Sequence, residues 1–142
     1  MAEKLLKGRA LGGGTIEGEA IVSQMAFNWA GSWNPMTGEI IDPRHDCTGV
    51  NLKDKIFVYS YSRGSTTNPA LFMEGVRNKV NPIALVMLDM EPMTMMGVAS
   101  AAVFYNVNVP SVDHTDQNPL EVIKTDDKIR VNGDTGTVEV LS

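Results

Sequence analysis

Lys55-Ile56-Phe57-Val58-Tyr59-Ser60-Tyr61-Ser62-Arg63-Gly64-Ser65-Thr66-Thr67-Asn68-Pro69 is the stretch that decides the fold. Its first part, Ile56 to Tyr59, is a continuous β-branched and aromatic run between a charged residue and a polar loop. Such a run predicts a strand buried on both faces, as parallel strands are. A helix is expected next. Thr66 or Thr67 can cap it, Pro69 suits its first turn, and Leu71, Phe72, Gly75, Val76 and Lys79 recur at helical spacing until Asn81-Pro82 stops it.

Working outward, residues 83–87 read as another short buried strand. Pro92 opens a second helix over 93–104, and 107–109 followed by Pro110 read as a third strand. The alternation of strands and helices implies parallel pairing with crossover connections. The flanks are different. Residues 4–11 and 19–23 read as strands joined through Gly12-Gly13-Gly14, and 128–131 with 137–141 form a hairpin around Gly133-Asp134-Thr135-Gly136. Between them, Asn28 through Trp29 and Trp33 to Asn34-Pro35-Met36-Thr37-Gly38 is a long structured loop, the kind that often carries function. The expected class is α/β, with β-rich ends around a compact parallel α/β centre, in one domain spanning residues 1–142.

Composition narrows the function. With 142 residues, 43% of them hydrophobic, the chain can bury a core of its own, and one Cys excludes an internal disulfide framework. A net charge of -5 without a basic run argues against nucleic acid and anionic membranes as partners. The longest apolar run, 83–88, is too short to cross a bilayer, and a cytoplasmic location is expected.

The loop 61–67 lies at a strand's carboxyl end and a helix's amino end, where free N–H groups and the helix dipole favour an anion. Gly64 lets a ligand approach the backbone, Arg63 offers a two-pronged grip on a carboxylate or phosphate, and Ser65 presents a hydroxyl. The same residues also read as a Ser/Thr helix cap beside a solvated arginine. No Gly-Lys-Ser/Thr ending is present, so this is not an NTPase phosphate loop. Two further groups, Asp42 with His45, Asp46 and Cys47, and Asp113 with His114 and Asp116, contain metal-ligating types without a specific spacing; turn-forming Asp and surface His explain them equally. Gly12 to Gly18 fails as a dinucleotide loop because a strand follows it. Met87, Met90, Met93, Met95 and Met96 suit either an adaptable contact surface or a core helix, and Trp29 and Trp33 are anchors for a core or an interface.

Four segments taken together carry a resemblance: Gly13 to Val22; Asn34-Pro35-Met36-Thr37-Gly38-Glu39-Ile40-Ile41-Asp42; Ser62-Arg63-Gly64-Ser65-Thr66; and Val109-Pro110-Ser111-Val112-Asp113. The chain resembles the small, swivelling-domain subunit of the aconitase X family over nearly its whole length. The resemblance implies a swivelling β/β/α domain and the dehydration of a hydroxy acid, with mevalonate 5-phosphate and cis-3-hydroxy-L-proline as candidate substrates. It implies a large catalytic partner subunit that holds an iron-sulfur cluster or iron, with no cofactor in this chain. By the same resemblance Ser65 is the catalytic base, Arg63, Gly64 and Thr66 bind substrate, and the partner's metal polarises the leaving hydroxyl. Departures from the family pattern are Ser62 where Gly is common, Thr66 for a smaller Ser or Cys, and Asn34 for an Asp. These fall in loops expected to face substrate. Only Arg63 is cationic in the motif loop, so a phosphorylated substrate would draw on Arg44, Arg77 or the partner. The alternatives left standing are a non-catalytic binding or regulatory module of the same fold, and a metal site built within this chain.

Overall fold

All four residues of β4 (Ile56–Tyr59) are buried, and they alternate between two cores. Ile56 and Val58 enter one apolar cluster, while Phe57 and Tyr59 enter another on the opposite face. β5 (Ala84–Met87) repeats the pattern, with Ala84 and Val86 on one side and Leu85 and Met87 on the other. This two-sided burial is why both strands read as unbroken apolar runs. Each fully buried large side chain here contributes roughly 1.5–3 kcal/mol of transfer free energy.

The computed structural model describes residues 4–63 and 65–141. β4 lies parallel to β3 (Thr15–Val22) and to β5, and β5 lies parallel to β6 (Ser111–Asp113). The eight-residue β3 divides its pairing. Ala20, Ile21 and Val22 run parallel to β4, whereas Thr15 to Glu19 run antiparallel to β7 (Lys128–Asn132), which pairs in turn with β8 (Thr137–Val140). The chain starts with β1 (Lys4–Lys7) on β8 and continues with β2 (Arg9–Ala10) on β6.

The strand order is β1-β8-β7-β3-β4-β5-β6-β2. Because β1 and β2 are separated only by Gly8, the two ends of that order are one stretch of chain, and the sheet closes on itself. Closure removes the open edges that would otherwise template association. Gly8 donates its N–H to the Gly136 carbonyl at 2.7 Å, and a Cβ at Gly8 would strike the Asp113 carbonyl oxygen. The enclosed core holds Leu6, Ala20, Ile56, Val58, Val86, Val112, Ile129, Val131, Val138 and Val140. Leu120, from the short helical turn over Pro119–Val122, and Ile123 complete it.

Two helices cover the outer face of the parallel strands. The first, Asn68–Arg77, packs on the second, Pro92–Tyr105, where Gly97 sits close to Pro69 and Phe72. Glu91 caps the second helix by accepting from the N–H groups of Met93 (2.7 Å) and Thr94 (3.1 Å). Beside the helices, Phe27, Trp29, Trp33, Phe57, Tyr59 and Phe72 form an aromatic core in which most rings meet edge to face, while Phe57 stacks on Tyr59 and Trp33 on Phe72; Trp29 and Trp33 meet at 5.0 Å. Both tryptophans are therefore core anchors.

The mixed sheet with flanking helices is the expected α/β class, and its parallel centre is formed by strands β3 to β6. Three local expectations are corrected. The third parallel strand is Ser111–Asp113 and not 107–109, since it is Leu85 and Val86 that find Ser111 and Val112 opposite them. The helix after the motif loop ends at Arg77, well before Asn81, because Lys79 takes a left-handed φ of 62°. Thr67 occupies the N-cap position without a side-chain cap bond. Among the described residues no helix is long and apolar enough to cross a membrane.

Candidate active site

The motif loop leaves the carboxyl end of β4 pinned from below. Ser62 is buried, its hydroxyl bonded to the Tyr59 hydroxyl at 2.9 Å and accepting from the Trp29 indole N–H at 3.2 Å. Burial pushes the Tyr59 phenol well above its ordinary range, so this relay stays uncharged. The backbone is clamped as well. Phe27 donates its N–H to Tyr61 O at 3.0 Å, and Arg63 donates to Phe27 O at 2.9 Å.

Beyond Gly64, which lies outside the described residues, Ser65 is half-buried at the start of the Asn68–Arg77 helix. Its hydroxyl bonds to Thr67 Oγ1 at 2.9 Å and takes a long contact of 3.4 Å from the Thr67 N–H. Its carbonyl accepts from the Asn68 N–H at 3.1 Å. Ser65 therefore lies just ahead of the helix amino end, where positive potential favours a developing alkoxide. Thr66 is exposed. Asn68 is the residue that sequence reasoning missed. Wholly buried, it donates its side-chain N–H to Arg63 O at 2.8 Å and accepts from the Ala30 N–H at 3.0 Å, joining the motif loop to the long 24–53 loop. An Asn at a helix start reads as an ordinary cap in sequence, and only the fold reveals its partners, one of them 38 positions away.

A cavity of about 280 Å³ opens between these loops, lined by Met25, Ala26, Asn28, Ser32, Asp42, Arg44, His45 and Arg63. It unites Arg63 with Arg44. Arg77 is instead paired with Glu74 on the helix surface. Ser65 and Thr66 are not among the lining residues.

The two metal-ligating groups are rearranged. His45, Asp46 and Cys47 converge without Asp42, and Asp113 and His114 converge with Asp89 in place of Asp116. In the first, His45 Nδ1 accepts the Cys47 amide N–H at 3.1 Å, leaving Nε2 to face Ser23 Oγ at 3.3 Å, and Ser23 donates to Asp46 at 2.7 Å. Burial by itself would raise the Asp46 carboxyl, but the Ser23 hydroxyl, the Gln24 amide and His45 outweigh it and hold it below the usual range. Cys47 behaves oppositely: burial, then the Asp46 charge, pushes its thiol up to about 12. A protonated thiol is a poor metal ligand. In the second group Arg9 grips Asp113 with two bonds of 2.8 and 2.6 Å, so a cation would have to displace a guanidinium. Asp116 instead accepts from the Lys7 N–H. Both groups are thus satisfied by internal partners.

Comparison with known proteins gives this geometry a context. The family described as the aconitase X swivel domain matches residues 5–140. This chain belongs to that family. A phosphomevalonate dehydratase small subunit from Methanocaldococcus jannaschii is 39% identical over 137 residues, covering 96% of this chain and 98% of the relative. The protein of the same name from Methanococcoides burtonii is 31% identical over 133 residues, covering 94% and 93%. Among solved structures, aconitase X of Thermococcus kodakaraensis in its holo-form superposes with a TM-score of 0.86 at 32% identity, covering 98% of this chain and 99% of that one.

Within the aconitase X swivel family, two of this chain's departures make defined internal contacts. The Ser62 hydroxyl joins Tyr59 and Trp29 in the core. Asn34 builds a turn, accepting from the Met36 N–H at 2.9 Å through its side chain and from the Gly38 N–H at 2.7 Å through its carbonyl. Nothing in the structure explains Thr66.

Proposed function

We propose that this chain is the small, swivel subunit of an aconitase X-type hydro-lyase, active with a large catalytic subunit and dehydrating a small hydroxy acid. The observation that carries the reading is the placement of Arg63 and Ser65. Both sit where a parallel strand ends and a helix begins, on a loop fixed by Asn68. Family membership and the names of the curated relatives support the same reading. Of the candidate substrates, mevalonate 5-phosphate and cis-3-hydroxy-L-proline, those names favour the first. A cytoplasmic setting belongs to the reading as well.

In this reading Arg63 holds the substrate carboxylate through paired N–H donors, and the Ser65 hydroxyl, as alkoxide, removes the proton from the adjacent carbon. The C–H electron pair becomes the new C=C bond as the β-hydroxyl departs. A serine is a weak base unless its anion is stabilised, and the neighbouring helix amino end with the Thr67 N–H supplies that stabilisation. The residues of this chain do not fit an iron-sulfur cluster, because its lone Cys47 is buried and held protonated. The iron centre, and with it departure of the hydroxyl, is assigned to the large subunit.

The test is dehydration by the purified two-subunit complex. Ser65→Ala is expected to lower kcat by about a hundredfold or more. Activity within a few-fold of the parent would remove Ser65 as the base, and full activity of the large subunit by itself would make this chain a non-catalytic module.

A further inference from the structure

The chain has five arginines, and they divide into two groups. Arg9 is bound to Asp113, Arg77 to Glu74, and Arg130 to Glu17 and Glu139. Among the described residues, Arg44 and Arg63 have no carboxylate or hydrogen-bond partner at their guanidinium groups. Those two line the same cavity.

They reach it from separate walls. Arg63 follows the buried Ser62 on the loop after β4. Arg44 sits on a turn in which Asp42 Oδ1 accepts its amide N–H at 3.0 Å. That turn is tied to the end of β3 through Asp46, which accepts from Ser23 Oγ at 2.7 Å and from the Gln24 N–H at 2.8 Å. Asp42 also lines the cavity, with its second oxygen accepting from Ser32 Oγ at 3.3 Å. The lining therefore carries two guanidinium groups against one carboxylate, a positive spot on a chain of net charge -5. Fixed walls of this kind favour a small anion, because little ordering is left to do on binding.

We propose that Arg44 and Arg63 form a two-point clamp for a small ligand bearing two anionic groups, with Arg44 setting specificity for the group remote from the reacting carbon. The assignment of ends rests on the reading above, in which Arg63 takes the carboxylate. The remote group is a phosphate ester or a second carboxylate; either satisfies a guanidinium with paired hydrogen bonds. A hydroxy acid with one carboxylate and no second anion leaves Arg44 unmatched.

The experiment is an NMR titration of the full chain with inorganic phosphate, malonate and acetate, in the parent and in Arg44→Gln, Arg44→Lys and Arg63→Gln. Amides around Asn28, Ser32 and Arg44 are expected to shift with phosphate or malonate. Arg44→Gln is expected to weaken that binding about tenfold and to leave acetate within about twofold, while Arg44→Lys retains most of it. The stronger of phosphate and malonate identifies the second anion. Unshifted amides, unchanged dianion binding in Arg44→Gln, or an equal loss for acetate would overturn the proposal. Because the read-out is binding by the chain itself, an active Ser65→Ala complex would remove the catalytic reading and leave the clamp standing.

Discussion

The side-chain N–H of Asn68 donates to the backbone carbonyl of Arg63 at 2.8 Å, tying the first residue of a helix to the residue before Gly64. The same carboxamide accepts from Ala30 in a different loop, so one buried side chain fixes both walls around the candidate site.

Replacing Asn68 by Ala leaves the Arg63 carbonyl without its partner and weakens the hold on Ala30. A loss of about 2 kcal/mol in urea unfolding is expected. Asn68→Asp keeps the acceptor and loses the donor, and so tests the loop more selectively. It is expected to lower kcat of the complex by about tenfold and to speed amide exchange at residues 65–67. Unchanged exchange there would show that the loop does not depend on this bond.

Gly75 offers a contest between propensity and packing. Alanine in a helix interior is worth about 1 kcal/mol over glycine. A Cβ at position 75, however, would run into the ring of Trp33, which is itself buried among aromatic side chains. Gly75→Ala is therefore expected to destabilise by about 2 kcal/mol, with near-ultraviolet circular dichroism reporting a displaced tryptophan. A gain in stability would contradict the packing described.

Acid stability should depend on Arg9. Burial raises the Asp113 carboxyl, but the Arg9 hydrogen bonds and charge, with the Met90 N–H, outweigh it and hold the group below its ordinary value. A carboxyl depressed in the folded state adds stability that is present above its unfolded pKa, near about 4, and is lost as pH falls through the lower folded value. The parent is expected to lose stability below about pH 4. In Arg9→Gln the effect of burial is opposed chiefly by the Met90 N–H, so the folded value rises toward or above the unfolded one: Tm at neutral pH falls by roughly 5 °C, and less further stability is lost on acidification than in the parent. Superimposable Tm-against-pH curves for the two proteins would rule this out.

Cys47 should be silent toward thiol reagents. With its thiol raised to about 12 and its side chain buried, modification at pH 8 is expected only on unfolding, at the rate of global opening. Rapid labelling of the folded chain would show that the turn carrying it opens locally.

The central strands were legible because burial on both faces leaves an unbroken apolar run, as at Ile56 to Tyr59 and Ala84 to Met87. The amino half of β3 was not. Thr15 to Glu19 alternates exposed polar residues with Ile16 and Gly18, and its partner β7 lies more than a hundred positions away. Residues 107–109 misled because Val-Asn-Val has strand composition, while the pairing register falls two residues later, at Ser111 and Val112. Arg63 and Ser65 stood out through their position after a buried strand. The cavity did not, since it depends on Arg44 being brought back by a turn whose bonds to Ser23 and Gln24 follow from the tertiary structure. The buried bonds of Ser62 to Tyr59 and Trp29 were hidden for the same reason.

The closure of the sheet at Gly8 has a temporal side. During synthesis the strand pair around Gly8 emerges ahead of the rest of the sheet, yet β1 meets its neighbour only when Val138 and Val140 have followed, with Lys4 opposite Val140. The amino half of β3 waits in the same way for β7. Pairings between such distant parts of the chain carry a large loop-closure cost and form late. A nascent chain that has reached β6 can assemble its parallel centre while two hydrogen-bonding edges stand open, and the final hairpin then covers both at once. For that interval the domain is most exposed to wrong partners, and arrival of the β7–β8 hairpin brings it to an end.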